Sequence, residues 1–261
     1  MISVVIPTIG RESLGRAVAS ALGQDMPGGN VEVIVVNDSG CELNTAANIL
    51  GDPRVVVITT NCRRQRVARN TGAAIARGRY LVFLDDDDWL AAGALAALLE
   101  AILTDSRFVA AYGGALLFDI TDRPLGCLNL GVSGNCASQM LGGATIPIGS
   151  GIIDAHAFFT VGGLDTTLPN GDEVDLFRGL AMVGDFANTA RIVVNVLRGE
   201  GWRTSVNYAR PSVESLLVSR EHLLDHSGAF HRLLQSADSP YWARAASISY
   251  HGLIWARAWS D

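Results

Sequence analysis

Short, uninterrupted apolar runs recur through the first 112 residues, and they constrain the fold more than any other feature of the sequence. The runs are ISVVI (2–6), VEVIVV (31–36), VVVI (55–58), YLVFL (80–84) and FVAAY (108–112). They have the length of strands, and because apolar residues occupy adjacent positions, both faces are expected to be buried. Apolar residues at helical spacing lie between several of the runs, at 14–22, 67–75 and 95–102. The pattern predicts an α/β fold with a mixed, mainly parallel sheet flanked by helices.

The remainder of the chain is less regular. Residues 113–170 are rich in glycine and show little periodicity, so we expect irregular strands and loops that continue the same domain. ARIVVNV (190–196) predicts one more strand, and from residue 211 onward the pattern becomes helical. We therefore predict one domain over residues 1–210, with residues 211–261 forming a helical C-terminal extension packed on it.

Composition and charge narrow the class of protein. An apolar fraction of 49% with 18% charged residues is typical of a folded chain, and a net charge of −6 argues against nonspecific nucleic-acid binding. The four cysteines form no CxxC pair and are interpreted as free thiols. The opening MISVVIPTIGR lacks the pattern of a signal peptide, and no run approaches the roughly 20 apolar residues of a membrane span. We expect a cytoplasmic protein without a transmembrane segment, and peripheral membrane contact stays open.

Four consecutive aspartates, Asp85 to Asp88, follow the apolar run at 80–84. Ligands of such sheets bind beyond the carboxyl ends of the strands, where Asp38 is also expected. If the chain stays extended, Asp85 and Asp87 share one face and Asp86 and Asp88 the other. Paired carboxylates raise each other's pKa unless a cation lies between them, and Mg²⁺ takes carboxylates together with substrate phosphates. The run therefore predicts a Mn²⁺ or Mg²⁺ site that a diphosphate completes.

A structural alternative is an acidic turn that caps a helix over residues 89–103, and for Asp88 alone an N-cap is the interpretation we favour. A second charged run lies just upstream, with arginines at 63, 64, 66 and 69. These arginines are expected to pair with the aspartates or with a phosphate-bearing ligand, for which guanidinium is well shaped. For any single one, an exposed helix face is an equally good interpretation.

Five motifs together resemble the family 2 inverting glycosyltransferases of the GT-A fold. They are VVIPTIGR, EVIVVNDSG, ARNTGAAIARGRYLVFLDDDDW, VGGLD and GDEVDLFRGLA, and the resemblance covers roughly residues 1–182. It implies a Rossmann-like GT-A domain with a donor-binding half over about 1–112 and an acceptor half over about 113–210. The implied reaction is metal-dependent transfer of a sugar, with inversion, from a nucleotide-diphosphate donor to an acceptor hydroxyl. A UDP-sugar is favoured as donor, and a carbohydrate, a lipid-linked sugar or a small molecule would be the acceptor.

The resemblance also assigns roles to residues. It assigns donor binding to Pro7, Thr8, Arg11, Asp38, Arg64, Arg66, Asp85 and Asp86. In the DxD motif, Asp87 is the first choice for the direct metal ligand and Asp85 the second, with Asp86 as an alternative because the run blurs the register. By position in its motif Glu173 takes the role of catalytic base, and Asp172 is the alternative. The chain departs from the family pattern at Asn37, where an aspartate is usual, and in the order of its Asp-Glu pair.

Two further features keep other interpretations open. The departures from the motifs leave room for a non-catalytic module that binds a nucleotide sugar or a partner protein. In the C-terminal region His222, His226 and His231 have a spacing that can bind zinc, but a structural or solvated helix is favoured. The aromatic residues over 241–259 are expected to pack in the core or to form a homodimer interface.

Overall fold

The computed structural model describes residues 1–26, 30–43, 50–141, 144–168 and 171–198. In these residues the strands are β1 (Ile2–Thr8), β2 (Val31–Asn37), β3 (Val55–Thr59), β4 (Tyr80–Phe83), β5 (Trp89–Leu90), β6 (Phe108–Asp119), β7 (Pro124–Leu128), β8 (Gly151–Asp154) and β9 (Asp185–Arg198). The helices are α1 (Leu14–Leu22), α2 (Gln65–Ile75), α3 (Ala94–Leu103), α4 (Ala137–Leu141), α5 (Ala155–Thr160) and α6 (Asp172–Val183), with a 3₁₀ turn at Ile148–Ser150. The predicted helical extension and its histidines and aromatic residues lie outside the described residues.

The described strands form one mixed sheet in the order β3-β2-β1-β4-β8-β6-β9-β5, with β7 pairing on β6. From β3 to β4 all pairs are parallel, and β8 is antiparallel to both β4 and β6. The predicted mixed α/β sheet is thus confirmed. β8 lies in the glycine-rich segment for which irregular strands and loops were expected without bounds. Among the described residues, no helix combines the length and apolar character needed to cross a bilayer.

The sheet is covered on both faces, which explains the uninterrupted apolar runs. Successive residues of a strand face opposite sides, and in β1 Val4 and Ile6 join one apolar cluster while Val5 joins the other. Helices α1 and α3 contribute to the first cluster, and α2, α5 and α6 to the second. A strand buried in this way has no polar face to alternate with its apolar one.

β3 is the exception to this rule. It is the edge strand beside β2, and Val56 and Val57 remain 36% and 42% exposed. The expectation that each apolar run is buried on both faces is therefore wrong for β3, because the apolar pattern alone does not distinguish an edge strand from a central one.

Helix α2 lies unusually close to β1 at Gly72. A Cβ atom built there would be 2.4 Å from Cγ1 of Val5 and 3.0 Å from Cγ2 of Val36. Both neighbours are β-branched residues held in the sheet, so neither can move aside cheaply. Gly72 thereby fixes the height of α2 above the sheet, and with it the position of Arg69 one helical turn earlier.

Replacing Gly72 with Ala is expected to lower the free energy of unfolding by about 1 to 3 kcal/mol, because an added methyl group overpacks this contact. Urea unfolding followed by circular dichroism measures the change. Helix propensity alone predicts the opposite sign, since Ala is favoured over Gly in a helix by up to about 1 kcal/mol. A variant as stable as the parent protein, or more stable, would therefore contradict the close contact.

Candidate active site

The chain turns immediately after β4, and this turn arranges the four aspartates. The N–H of Asp88 donates to the carbonyl of Asp85 at 3.1 Å, so the extended conformation does not continue through the run. Carboxylate oxygens of Asp85, Asp87 and Asp88 lie within 4.8 Å of one another. The expected alternation, with Asp86 and Asp88 on a second face, is wrong because it assumed that the strand continued.

Asp88 is not a helix cap. Trp89 and Leu90 form β5, and α3 begins only at Ala94, so the predicted helix over residues 89–103 starts later. The Asp88 carboxylate instead accepts a hydrogen bond from the N–H of Leu197 at 3.0 Å. Burial, together with the negative charges of Asp85 and Asp87, raises the pKa of Asp88 to about 8. The opposing hydrogen bond from Leu197 and the charge of Arg198 lower it only in part.

Asp86 points away from the other three carboxylates and is buried. Thr8 Oγ1 donates to its Oδ2 at 2.6 Å, and Arg11 forms an ion pair with its Oδ1. A guanidinium nitrogen of Arg11 also lies 3.4 Å from Asp87 Oδ2. Two residues predicted to bind the donor thus hold the acidic turn, and Pro7 precedes them at the buried end of β1.

Asp38 lies at the end of β2, where it is buried and accepts four hydrogen bonds. Its donors are Thr60 Oγ1 at 2.8 Å and the N–H groups of Cys62, Arg63 and Arg64 at 2.6, 2.9 and 2.6 Å. Burial alone would raise the pKa of Asp38, but these hydrogen bonds lower it. Asp38 therefore orders the loop that leads into α2. Its predicted contact with a nucleobase stays a prediction.

Two loops flank Asp38, one after β2 and one before α2. Asn37, which replaces the aspartate usual in the motif, donates to the carbonyl of Cys41 at 2.7 Å and accepts from the N–H of Ser39 at 3.0 Å. In the adjacent loop Asn61 and Arg63 have φ angles of 57° and 50°, in the left-handed region that non-glycine residues rarely adopt. Such strain often accompanies functional loops. Both loops lie at the same edge of the sheet as the aspartates.

The second acidic group lies at the start of α6. Gly171 precedes the helix with φ of 78°, and Asp172 and Glu173 occupy its first turn, where negative charge is favourable. Arg69 of α2 joins this pair to the first group, since its NH2 lies 2.6 Å from Asp85 Oδ1 and its NH1 3.2 Å from Glu173 Oε1. The same NH1 is 3.8 Å from Asp172 Oδ2. The fold therefore brings residues 85 and 172–173 to one site.

Asp172 and Glu173 differ in how strongly they are engaged. Asp172 is 13% exposed and also pairs with Arg66, at 3.2 Å from its Nε. Glu173 is 36% exposed and has Arg69 as its ion-pair partner. Burial of the carboxyl group raises the pKa of Glu173, as do the nearby acidic charges, against the opposing charge of Arg69. Of the two, Glu173 is the more accessible group for accepting a proton.

The arginine run divides into three environments. Arg64 immediately precedes α2 with an exposed side chain, and Arg66 pairs with Asp172 and donates to the carbonyl of Leu168. Arg69 is buried at the centre of the site, and it was not singled out from the run of arginines. A signal was present, because the small residues Gly72 and Ala73 follow at i+3 and i+4 and mark that face of α2 as the buried one.

Comparison with protein families agrees with this geometry. The model of glycosyl transferase family 2 matches residues 3–115, which include β1 to β4, Asp38, Arg69 and the four aspartates. Residues 3–115 are a glycosyl transferase family 2 domain. The match ends within β6, so it does not include the acidic pair of α6.

Curated glycosyltransferases are similar to about a third of this chain. Poly(ribitol-phosphate) beta-N-acetylglucosaminyltransferase TarP of Staphylococcus aureus is 35% identical over 94 residues, which are 34% of this chain and 29% of TarP. UDP-Glc:alpha-D-GlcNAc-diphosphoundecaprenol beta-1,3-glucosyltransferase WfaP of Escherichia coli is 34% identical over 92 residues, which are 34% of this chain and 36% of WfaP. The aligned segments thus span about a third of these relatives.

Solved structures extend the similarity beyond the family 2 domain. The crystal structure of S. aureus TarS 1-349 matches with a TM-score of 0.66 at 14% identity, covering 94% of this chain and 70% of that chain. The complex of TarS 1-349 with UDP-GlcNAc matches with a TM-score of 0.61 at 13% identity, covering 97% and 71%. At these identities the comparison concerns the fold alone, and the fold is the GT-A fold.

Proposed function

We propose that the protein is a metal-dependent inverting glycosyltransferase that moves a sugar from a nucleotide-diphosphate donor to an acceptor hydroxyl. The observation that carries the proposal is the meeting of two acidic groups around Arg69, at the carboxyl ends of the parallel strands. One group has the composition of a cation site and the other supplies an accessible carboxylate. A family 2 domain with a cation site, completed by a base from α6, would have the parts that sugar transfer requires.

The carboxylates of the turn after β4 fit a divalent cation. Asp85, Asp87 and Asp88 offer only oxygen ligands, the type preferred by Mg²⁺ and Mn²⁺, and their ligand atoms already converge. These three residues would hold the ion, with Asp87 and Asp85 as predicted and Asp88 as an addition. When bound, it supplies positive charge to the diphosphate leaving group.

The transfer step itself requires a base and an attack from the face opposite the leaving group. Glu173 removes the proton of the acceptor hydroxyl as the acceptor oxygen attacks the anomeric carbon. The bond between that carbon and the diphosphate oxygen breaks in the same step, and the nucleotide diphosphate leaves with the electron pair. Attack from the face opposite the leaving group inverts the anomeric centre. The raised pKa of Glu173 brings this group closer to the working pH, which suits a general base.

A UDP-sugar is the donor that we propose, and a glycan-containing acceptor is the partner. The support for the donor comes from structural neighbours solved with UDP and UDP-GlcNAc and from a relative named for UDP-Glc. The support for the acceptor comes from relatives named for poly(ribitol-phosphate) and for a diphosphoundecaprenol-linked sugar. Asp38, Arg64 and Arg66 are the proposed donor contacts beside the acidic turn.

A thermal-shift screen of UDP, GDP, CDP and dTDP, each with and without Mn²⁺, tests the proposal. Ligand at 100 times its dissociation constant stabilises the folded state by about 2.7 kcal/mol. We expect the largest rise in melting temperature for UDP with Mn²⁺. If no nucleotide raises it, the donor assignment is wrong. Donor hydrolysis measured with the preferred nucleotide sugar separates an enzyme from a non-catalytic binder, which would show none.

A further inference from the structure

The environment of Arg69 is unlike that of any other described arginine at the site. Its side chain is 1% exposed, and its two terminal nitrogens contact carboxylates from two different parts of the chain. Asp85 belongs to the turn after β4, and Glu173 belongs to α6. A buried guanidinium is costly unless hydrogen-bonded partners compensate, and the side chains of Asp85 and Glu173 supply that compensation.

We propose that Arg69 is a positioning residue that holds the carboxylate of Glu173 at a fixed distance from the Asp85 side of the site. The inference rests on the proposed function and adds a role that the donor and metal assignments leave out. Arg69 touches neither donor nor acceptor in this scheme. It acts through Glu173, and removing it would leave the base free to choose other rotamers.

The helix that carries Arg69 is firmly packed on the sheet. Helix α2 is held close to β1 and β2 through Gly72, one turn from Arg69, so the guanidinium projects from a fixed platform. The hydrogen bonds of Asn70 add to this, because its side chain donates to the carbonyl of Leu164 at 2.8 Å and accepts from the N–H of the same residue at 3.0 Å. The platform thereby connects the sheet with the segment that leads towards α6. Precise placement of a catalytic group is worth much in rate, since a displacement of about 1 Å can cost about 100-fold.

Lysine distinguishes positioning from charge neutralisation. An ammonium group keeps the positive charge but has one nitrogen, whereas the planar guanidinium reaches Asp85 and Glu173 with separate nitrogens. If Arg69 merely neutralised the acidic site, Arg69→Lys would retain most of the activity. If the contacts of the guanidinium with both carboxylates set the position of Glu173, Arg69→Lys keeps the charge but loses most of the activity.

The experiment compares Arg69→Lys and Arg69→Ala with the parent protein at saturating Mn²⁺. Titration with UDP counts the folded, donor-competent sites, and kcat is expressed per such site. We expect kcat of Arg69→Lys to fall about 100-fold, while the KM for the donor changes by no more than about threefold. We expect guanidinium ions at low concentration to raise kcat of Arg69→Ala in a saturable manner and to leave the parent protein unaffected.

Arg77→Lys is the matched control. Arg77 follows α2 and pairs with Glu32 at 2.8 Å, near the opposite end of the parallel strands. The same chemical change there is expected to leave kcat and KM at their parent values. A kcat of Arg69→Lys within about twofold of the parent, or a fall in kcat and donor affinity by the same factor, overturns the proposed role. If the parent protein neither binds UDP nor transfers sugar, the proposed function is wrong. The proposed role of Arg69 is then wrong as well, because it rests on that function.

Discussion

Replacing Glu173 with Gln is expected to lower the rate of sugar transfer by about 100- to 10,000-fold, the usual contribution of a general base. Glutamine keeps the size of the side chain and can still accept a hydrogen bond from Arg69, but it cannot take the acceptor proton. Donor binding should persist, because the proposed donor contacts lie on other elements. Transfer measured with radiolabelled donor, together with UDP titration of the same preparation, gives both quantities.

Asp172→Asn is the control for this prediction, because Asp172 lies next to Glu173 and shares Arg69 with it. Asp172 is already engaged by Arg66, so its substitution should affect stability and donor affinity more than the chemical step. If Asp172→Asn abolished transfer while Glu173→Gln remained active, the roles of the two acids would be reversed. If both variants transferred sugar at the parent rate, neither residue would be the base.

Replacing Asp87 with Asn is expected to weaken Mn²⁺-dependent UDP binding by about 10-fold or more, because the affinity of such sites depends on the number of charged oxygen ligands. The affinity for UDP without metal should change little. Asp87→Asn also removes a negative charge beside Arg11, and that loss should shift UDP affinity in the same direction with Mn²⁺ and with EDTA. Isothermal titration of UDP, with Mn²⁺ and with EDTA, separates the two contributions.

Asp86→Asn resolves the register of the DxD motif. The structure directs the carboxylate of Asp86 towards Thr8 and Arg11, so this variant should alter UDP binding equally with and without Mn²⁺. Asp105→Asn, in an exposed pair with Arg107, controls for the loss of one negative charge. A selective loss of the metal-dependent component in Asp86→Asn, but not in Asp87→Asn, would contradict the assignment of the ligands.

Much of the fold could be predicted because burial on both faces leaves a direct trace in the sequence. β1, β2, β3, β4 and β6 were predicted from apolar runs, and the strand predicted at 190–196 lies within β9. β7 and β8 were not, for different reasons. All five residues of β7 are exposed, so its sequence carries no burial pattern, and β8 has four residues within a glycine-rich segment. Strands this short depend on hydrogen bonds to neighbouring strands, and the apolar periodicity of the sequence does not reveal those neighbours.

The candidate site was predicted in its parts but not in its assembly. The acidic run and the Asp-Glu pair were identified, yet their relation through Arg69 depends on its contacts with Asp85, 16 positions away, and with Glu173, 104 positions away. Asp88 was assigned to a helix cap because sequence reasoning extended the following helix back to Trp89. The tight turn at Asp85 to Asp88 keeps Asp85 with Asp87, as expected, but brings Asp88 to them instead of to Asp86. Local pattern predicts which residues are unusual, and tertiary contacts decide what they touch.

The placement of β8 has a consequence for how this protein can be synthesised. β8 lies between β4 and β6, so the strand that completes the middle of the sheet comes from residues 151–154, after the family 2 segment has been translated. Until those residues leave the ribosome, the edge of β4 on the side away from β1 is unpaired, and unpaired strand edges can pair with other chains. The sheet of the nascent chain therefore stays incomplete until β8 has been synthesised. A fragment that ends near residue 115 lacks β8, so the edge of β4 would remain unpaired and the fragment would be prone to aggregate.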